Sequence, residues 1–158
     1  MQSVDTSSID HLLESWDRLL KDYPNMKRDL LINLGNQLLE DVRQVIGGTG
    51  KVQGWQERYV GSRNGYAAVR PKSKRFQSTR SGTRYAVCHI TNAIENGHPH
   101  RRPRPTGRKG YKYRPRIRVA AVPGRHFYAQ VRGQLGNFGR ADLERLAQEI
   151  ARRLEGGT

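Results

Sequence analysis

The sequence is poor in acidic residues, in cysteine and in long apolar runs, and the last two shortages each exclude a class of protein. Its 158 residues include 14 Asp and Glu against 29 Lys and Arg, which gives a formal net charge of +15. The lone cysteine, Cys88, excludes an intrachain disulfide and any multi-cysteine metal cluster, and it fits a reducing compartment. No stretch approaches the ~18 consecutive apolar residues of a membrane span, and the N-terminus lacks the pattern of a signal peptide. We therefore expect a soluble chain that contacts no membrane and is not exported.

Hydrophobic residues make up only 35% of the chain, yet its length is sufficient for a core. A domain of about 150 residues buries roughly two-thirds of the surface of its unfolded chain. Apolar periodicity at both ends predicts helices, and short aromatic and β-branched runs between them predict strands. The expected fold class is α+β, in a single domain that spans residues 1–158. Its parts are N-terminal amphipathic helices within 1–50, a small, mostly antiparallel sheet with a short helix and basic loops within 51–124, and a C-terminal amphipathic helix within 125–158.

Residues 1–50 have the apolar periodicity of helices. Apolar side chains recur every three or four residues on both sides of Pro24, a residue that ends or kinks a helix. We predict one helical segment before this proline and a second after it, which ends at Gly47 and Gly48. Such a stripe either faces the core of its own chain or contacts another subunit. The apolar positions are Leu12, Leu13, Trp16, Leu19, Leu20 and Tyr23, then Met26, Leu30, Leu31, Leu34, Leu38, Val42 and Val45.

The middle of the chain contains the signals of a β-hairpin. Residues 53–60 and 66–70 are short runs rich in aromatic and β-branched side chains. They flank Asn64 and Gly65, a pair typical of hairpin turns. We therefore predict that the two runs pair as antiparallel strands.

Three further segments complete the expected fold. Residues 84–95 have helical spacing and end at Asn96 and Gly97, although their β-branched side chains are also compatible with a strand. The pattern of residues 117–122 predicts a strand. A last amphipathic helix begins at about Arg140, and its acidic first turn and basic last turn suit the helix dipole.

The excess positive charge lies in residues 51–118, whose net charge is +16, against −3 for residues 1–50. The densest part, residues 100–118, combines Arg and Lys with Pro, Gly and two tyrosines, a composition that predicts an extended loop. Such a loop contacts the phosphates of a nucleic acid, docks on an acidic protein surface, or stays solvated, and the sequence leaves these alternatives open. The candidate binding residues are Arg101, Arg102, Arg104, Arg108, Lys109, Lys112, Arg114 and Arg116. A smaller cluster, predicted at the tip of another loop, contains Arg70, Lys72, Lys74, Arg75 and Arg80.

Catalytic chemistry has little support in the sequence. The basic middle region has only two acids, Glu57 and Glu95, whereas acid–base catalysis needs converging titratable groups. The chain contains none of the phosphate-binding, dinucleotide-binding, zinc-protease or nucleophile-elbow motifs. Three histidines, His89, His98 and His100, are the metal candidates, but their spacing lacks a partnering ligand motif. We therefore expect no enzymatic activity, no metal and no cofactor.

Two short signatures follow each other along the chain. A Gly-Trp pair precedes a Tyr-x-x-x-His-x-x-x-x-x-Glu-x-Gly-His segment. An element of the type Val-x-Gly-x-Pro-His/Phe follows the basic segment, and it reads Val-Pro-Gly-Arg-His-Phe here. The residues that carry them are Trp55, Tyr85, His89, Glu95, Gly97 and His98, then Val122, Gly124 and Phe127. With a leading helix and an amphipathic last helix, this order resembles the tail-completion or head–tail joining (neck) proteins of tailed bacteriophages. The resemblance covers about residues 28–155.

The resemblance implies a structural virion protein without catalysis. It would be a small α+β subunit of a homo-oligomeric ring, commonly of six copies, at the head-proximal end of the tail. It would assemble in the host cytoplasm with tail-tube and head-connector proteins, and the basic segment would be free to contact phage DNA. Glu95 and His98, beside a glycine with positive φ at position 97, would anchor a loop or a neighbouring subunit, or would form a simple capped turn. The alternative function is a small basic nucleic-acid-binding protein that uses residues 70–118.

Overall fold

The computed structural model describes residues 7–48, 50–78, 80, 82–100 and 120–155, which are helical at both ends with short strands between. The helices are α1 (Ser7–Ile46), α2 (Lys51–Trp55), α3 (Val87–Asn96), α4 (Phe127–Gly133) and α5 (Arg140–Leu154). The strands are β1 (Gln56–Val60), β2 (Ala67–Pro71), β3 (Phe76–Ser78), β4 (Arg84–Ala86), β5 (Gly97–His98) and β6 (Val122–Pro123). Within these ranges the strands form three antiparallel pairs, β1–β2, β3–β4 and β5–β6. The α+β class is confirmed, with small separate pairs in place of one sheet.

The first helix differs from the prediction because α1 continues through Pro24. Proline removes the hydrogen bond to the carbonyl four residues earlier, that of Leu20. The helix is exposed at Leu20 and Tyr23, so water can hydrogen-bond to that carbonyl and the lost bond costs less than it would in a core. The helix ends as predicted, at a glycine of positive φ, Gly47, whose N–H donates to the Arg43 carbonyl at 3.1 Å.

The buried core joins the C-terminal half of α1 to α4. Val42 and Ile46 of α1 and Phe127 and Val131 of α4 form one buried cluster. Partly buried side chains from α1, α2, β2, α3 and α4, and one from the turn after α4, pack around it: Leu38, Val45, Val52, Val69, Ile94, Tyr128 and Leu135. The predicted apolar stripe of α1 therefore faces the core of its own chain between Leu38 and Ile46.

The predicted hairpin of β1 and β2 is confirmed, with a register that pairs Glu57 with Arg70. Its first strand was predicted too long, because residues 53–55 lie in the helix α2 and β1 begins at Gln56. Its turn uses a different pair of residues from the expected one. The positive φ angles belong to Arg63 and Asn64, at 59° and 49°, whereas Gly65 has a φ of −83°. The left-handed conformation thus lies one residue earlier than in a two-residue Asn-Gly turn, because the connection is longer and contains a 3-10 turn.

The first helix packs across this hairpin. A Cβ on Gly35 would lie 2.7 Å from the Arg58 Cγ, so the absence of a side chain at position 35 lets α1 approach β1 closely. The Arg58 Nη1 donates to the Asn36 Oδ1 at 2.8 Å beside this contact.

Residues 84–96 combine the two predicted alternatives. The first three form β4 and the rest form α3, so the change from strand to helix occurs between Ala86 and Val87. The strand alternative was based on the β-branched residues Val87, Ile90 and Thr91. All three lie in the helix α3. Of the predicted strand at 117–122, residues 120–122 are described, and among these three only Val122 lies in a strand, β6.

The last helix, α5, begins at Arg140 as predicted and lies antiparallel along α1. The Gln37 Nε2 donates to the Asp142 Oδ2 at 3.2 Å, and the Arg153 Nη1 donates to the Asp22 Oδ2 at 2.7 Å. These two contacts place α5 against the stretch of α1 between residues 22 and 37. Across the described ranges, none of the helices combines the length and apolar character needed to cross a bilayer.

Candidate interaction site

The two signature segments are far apart in sequence but meet in space. In β5 and β6, Gly97 pairs with Pro123 and His98 with Val122. Just before the first strand and after the second, the N–H of Arg125 donates to the Ile94 carbonyl at 2.9 Å, and that of His126 to the Glu95 carbonyl at 3.1 Å. We call the resulting contact between residues 94–98 and 122–129 the Glu95 clasp.

The Glu95 side chain is the central polar group of the clasp. It is 8% exposed, and its two carboxylate oxygens accept the backbone N–H groups of Tyr128 at 3.2 Å and Ala129 at 3.3 Å. These N–H groups belong to the first turn of α4, which has no partner for them within the helix. A carboxylate at this end also faces the positive end of the helix dipole. Among the roles expected for Glu95, the structure shows that of an anchor: the carboxylate holds the start of α4 in its own chain.

Two signature glycines allow the segments of the clasp to approach each other. Gly97 has a φ of +65°, as expected, and a Cβ there would overlap the Val122 carbonyl oxygen and lie 2.5 Å from the Gly124 nitrogen. A Cβ on Gly124 would lie 2.7 Å from the Asn96 carbonyl carbon. Both obstacles are backbone atoms, so the clasp closes only with glycine at these positions.

A hydrogen-bond chain connects the clasp to the start of β1. The Tyr128 hydroxyl donates to the Oε1 of Gln56, and the Gln56 Nε2 donates to the Val52 carbonyl at 3.0 Å. Gln56 is fully buried, and its neighbour Trp55, the signature tryptophan, is also buried. Burial raises the pKa of Tyr128, and the nearby charge of Glu95 raises it further. The phenol therefore stays neutral and keeps its hydrogen bond.

Arg125 is a further member of the clasp, and no sequence pattern predicted its role. Its Nη2 donates to the Ile46 carbonyl at 2.6 Å. Ile46 is the last residue of α1, so the guanidinium satisfies a free carbonyl at the negative end of that helix dipole. The clasp thus also fixes the end of α1.

The histidines of the signature do not converge with Glu95 on a site. His89 is exposed on α3, and the Nδ1 of the half-buried His98 lies 3.2 Å from the Pro99 carbonyl oxygen. In the part of the chain that the structure describes, no three His, Cys, Asp or Glu residues are grouped in a way that could hold a metal ion. Tyr85 is exposed on β4, and Val122 is exposed on β6.

The eight candidate cations between Arg101 and Arg116 lie outside the described residues. The smaller basic cluster is described, and it is spread over β2 (Arg70), the β2–β3 turn (Lys72, Lys74 and Arg75) and the β3–β4 connection (Arg80). Several of its members are already engaged. Arg70 lies over the Tyr59 ring at 3.6 Å and 3.4 Å from the Glu57 Oε1, while the Lys72 Nζ and the Arg75 Nη1 donate to the Gly54 carbonyl. Only Lys72, Lys74 and Arg75 lie together in one turn, as the prediction of a loop tip required. Arg70 and Arg80 lie elsewhere.

A basic aromatic surface lies on the β3–β4 hairpin. Phe76 is exposed, and the Arg84 guanidinium lies 4.9 Å from the centre of its ring. The register pairs Phe76 with Ala86 and Ser78 with Arg84, which places Phe76 and Arg84 on one face. The exposed Lys74 lies in the turn that leads into β3. We call Lys74, Phe76 and Arg84 the hairpin patch.

A second exposed surface, which is apolar, lies on the N-terminal part of α1. Six large apolar side chains of residues 7–23 are exposed, and at about 100° per residue they share an arc of about 100° on the helix. We call residues 7–23 the arm and these six residues the arm stripe: Ile9, Leu12, Leu13, Trp16, Leu20 and Tyr23. Sequence periodicity predicted five of these six positions, without Ile9, and it included Leu19, which is buried. It did not predict that the five are exposed.

Comparison of the chain with family models, with curated proteins and with solved structures finds no match. The clasp, the hairpin patch and the arm stripe are the features that bear on function. The first holds the fold together, whereas the other two are exposed and have the chemistry of binding surfaces.

Proposed function

We propose that the chain is a structural virion protein of a tailed phage, a subunit of the ring that completes the tail and joins it to the head. It acts by assembly and carries out no catalysis. Its place is the neck of the virion, and its partners are copies of itself, the tail-tube protein and the head connector. The observation that carries the proposal is the Glu95 clasp, since the two segments on which the family resemblance rests form one compact unit.

The signature residues in the clasp have roles that explain why their types are needed. Glu95 accepts two N–H groups of α4, Gly97 and Gly124 permit backbone contact, and Phe127 is buried in the core. Each role depends on residue type, because a carboxylate, a missing side chain and a large apolar ring are not interchangeable. This agreement between the quoted residues and their contacts supports the family assignment.

The clasp also fixes the two ends of the basic segment side by side. His98 pairs with Val122, so the chain leaves this point at residue 99 and returns to it at residue 121. Residues 99–121 contain nine Lys and Arg and no Asp or Glu. The segment is therefore joined to the described fold at a single place, between His98 and Val122. Its positive charge suits contact with an acidic connector rim or with DNA.

Ring assembly is tested on the purified full-length chain by sedimentation velocity and electron microscopy, alone and with isolated tail tubes. The proposal predicts rings, either in solution or at one end of each tube. A chain that stays monomeric and binds neither end of the tubes would contradict it.

A triple variant addresses the basic segment. Changing Arg101, Arg102 and Arg104 to Ser should leave the circular dichroism spectrum and the melting temperature unchanged and impair joining of tails to heads. The matched control changes Arg132, Arg140 and Arg145 to Ser, which removes the same charge from α4 and α5. Equal loss of joining in both variants would show that total charge matters and the segment does not.

A second function, nucleic-acid binding, is favoured by the exposed Phe76 beside the Arg84 guanidinium. Aromatic rings next to cations stack on unpaired bases while the cations contact phosphates. Titration of a labelled oligonucleotide at several salt concentrations tests it, since neutralising Z phosphates gives a log–log slope of about −0.7Z for single strands and −0.9Z for duplexes. A steep slope for a stable monomer would favour this function over ring assembly.

A further inference from the structure

We infer that the arm of one copy docks on the hairpin patch of a second copy, through a head-to-tail contact between unlike surfaces. The inference rests on the proposed ring function and specifies the interface that would build it. Its occupant is a second copy of this chain, and the partner surface is the hairpin patch, in which Phe76 and Arg84 share a face of the β3–β4 hairpin and Lys74 lies in the turn before it.

The arm extends past the end of α5, the helix that lies against α1 between residues 22 and 37. The last contact between α1 and α5 given above joins Asp22 to Arg153. The arm extends from there to Ser7, which at 1.5 Å per residue is about 22 Å of helix. Within the arm, Leu19 is 6% exposed, whereas the six residues of the arm stripe are 43% to 64% exposed.

The charges of the arm favour a basic partner. Residues 7–23 contain four acidic and two basic side chains. Glu14 pairs with Arg18 and Asp22 with Arg153 of α5, so the acids considered at the border of the stripe are Asp10 and Asp17. Asp17 lies one helical turn from both Leu13 and Leu20, so its carboxylate borders the stripe, and Asp10 has the same relation to Leu13. Two arms paired with each other would bring these acidic borders together, whereas the rest of the chain is strongly basic.

The hairpin patch has the complementary composition. Its Phe76 ring offers an apolar contact to the stripe, while Arg84 and Lys74 offer cations to the acidic border. Both surfaces are exposed in the same chain, so they do not cover each other within one copy. A contact between copies can bury both.

Such a contact has the symmetry that a ring requires. Each copy would use its arm on one neighbour and its patch on the other, which is a heterologous interface that repeats until the ring closes. Opposite charges would set the orientation of the arm and disfavour arm-to-arm pairing.

Charge exchange in the full-length chain tests the interface by sedimentation velocity over a concentration series. The arm variant Asp10→Lys/Asp17→Lys and the patch variant Lys74→Glu/Arg84→Glu should each weaken self-association at least about tenfold. The chain that carries all four changes should recover association, because attraction is restored with the signs exchanged. Circular dichroism of each variant checks that the fold is kept.

Other results overturn the inference in distinguishable ways. Rings that form equally well from the arm variant would refute this interface and leave the ring function standing. A wild-type chain that is monomeric at all concentrations would also refute it, while the tail-tube assay decides the ring function separately. Loss of oligonucleotide binding in the patch variant, with self-association unchanged, would assign the patch to nucleic acid instead.

Discussion

The two halves of α1 have the same apolar periodicity and opposite surroundings. In the C-terminal half, Val42 and Ile46 are 2% and 1% exposed, whereas in the arm Leu13 and Leu20 are 59% and 64% exposed. The C-terminal half packs against α4 and the β1–β2 hairpin, whereas the arm contacts α5 at Asp22 and extends beyond that contact to Ser7. Periodicity therefore identifies an apolar face of a helix, but it does not identify what covers that face.

The difference also separates folding from assembly. Complete burial of a large apolar side chain stabilises a fold by about 1.5–3 kcal/mol, and most of that is gained at Ile46 and little at Leu20. The exposed arm stripe retains apolar surface that a partner could bury. The C-terminal half should therefore control the stability of the monomer, and the arm should control association.

The largest expected effect is a stability difference between two truncations in the same helix. Ile46→Ala should lower the free energy of unfolding by about 3 kcal/mol, because it leaves a cavity in the core cluster. Leu20→Ala should change it by less than about 0.5 kcal/mol. Urea denaturation at a concentration where the chain is monomeric measures both. Similar losses in the two variants would mean that the arm stripe is covered in the monomer.

The next effect concerns the clasp, which holds α4 against the buried C-terminal half of α1. Glu95→Ala should cost about 2 kcal/mol, because it leaves two N–H groups of α4 without acceptors in a buried site. Glu95→Gln should cost less, since the amide oxygen can still accept one of them. Glu155→Ala, at an exposed position after α5, is the matched control and should leave the urea midpoint unchanged. A Glu95→Ala variant as stable as the control would contradict the anchoring role.

Local signals in the sequence predicted most of the elements. The Asn64-Gly65 region predicted a hairpin, Gly47 and Gly97 predicted helix ends, and the dipole-matched charges of α5 predicted its start at Arg140. These signals act over a few residues, so the sequence displays them directly. The path of α1 through Pro24 was not predicted, because the cost of a proline depends on whether water reaches the freed carbonyl.

The sequence could predict which residues belong to the site, but it could not predict their contacts. The signature named Glu95, Gly97, Gly124 and Phe127, but it did not show that they meet or that Glu95 anchors α4. The roles of Arg125 at the end of α1 and of Gln56 beneath Tyr128 arise from contacts across 79 and 72 residues of sequence. No spacing rule spans such separations, and so these residues emerged from the structure alone.

A smaller effect is expected from Tyr128, as a pH dependence. The pKa of Tyr128 is raised above its ordinary value of 10.0 in the folded chain, so the neutral phenol stabilises the fold below pH 10 and this contribution is lost as the pH rises further. Tyr128→Phe should cost about 1 kcal/mol at pH 8 through the lost hydrogen bond to Gln56. The difference between wild type and variant in urea midpoint should shrink above pH 10. A difference that stays constant with pH would contradict the buried phenol.

The smallest effect lies where α5 meets the arm. Hydrogen bonds from Arg152, and to a smaller extent from Arg153, lower the pKa of Glu149 from 4.5 to about 2. Arg153 also forms an ion pair with Asp22 of α1. The carboxylate therefore contributes stability above pH 4.5, and this is lost as the pH falls towards 2. Glu149→Gln should lower the urea midpoint slightly at pH 7 and by less at pH 3, because exposed ion pairs contribute little. Glu144→Gln, which removes the Arg140 pair on the same helix, is the control for a surface pair without a contact to α1. If the two variants behave alike at both pH values, the Glu149 cluster does not help to hold α5 against α1, and the boundary between the covered and exposed parts of α1 must be set by apolar packing.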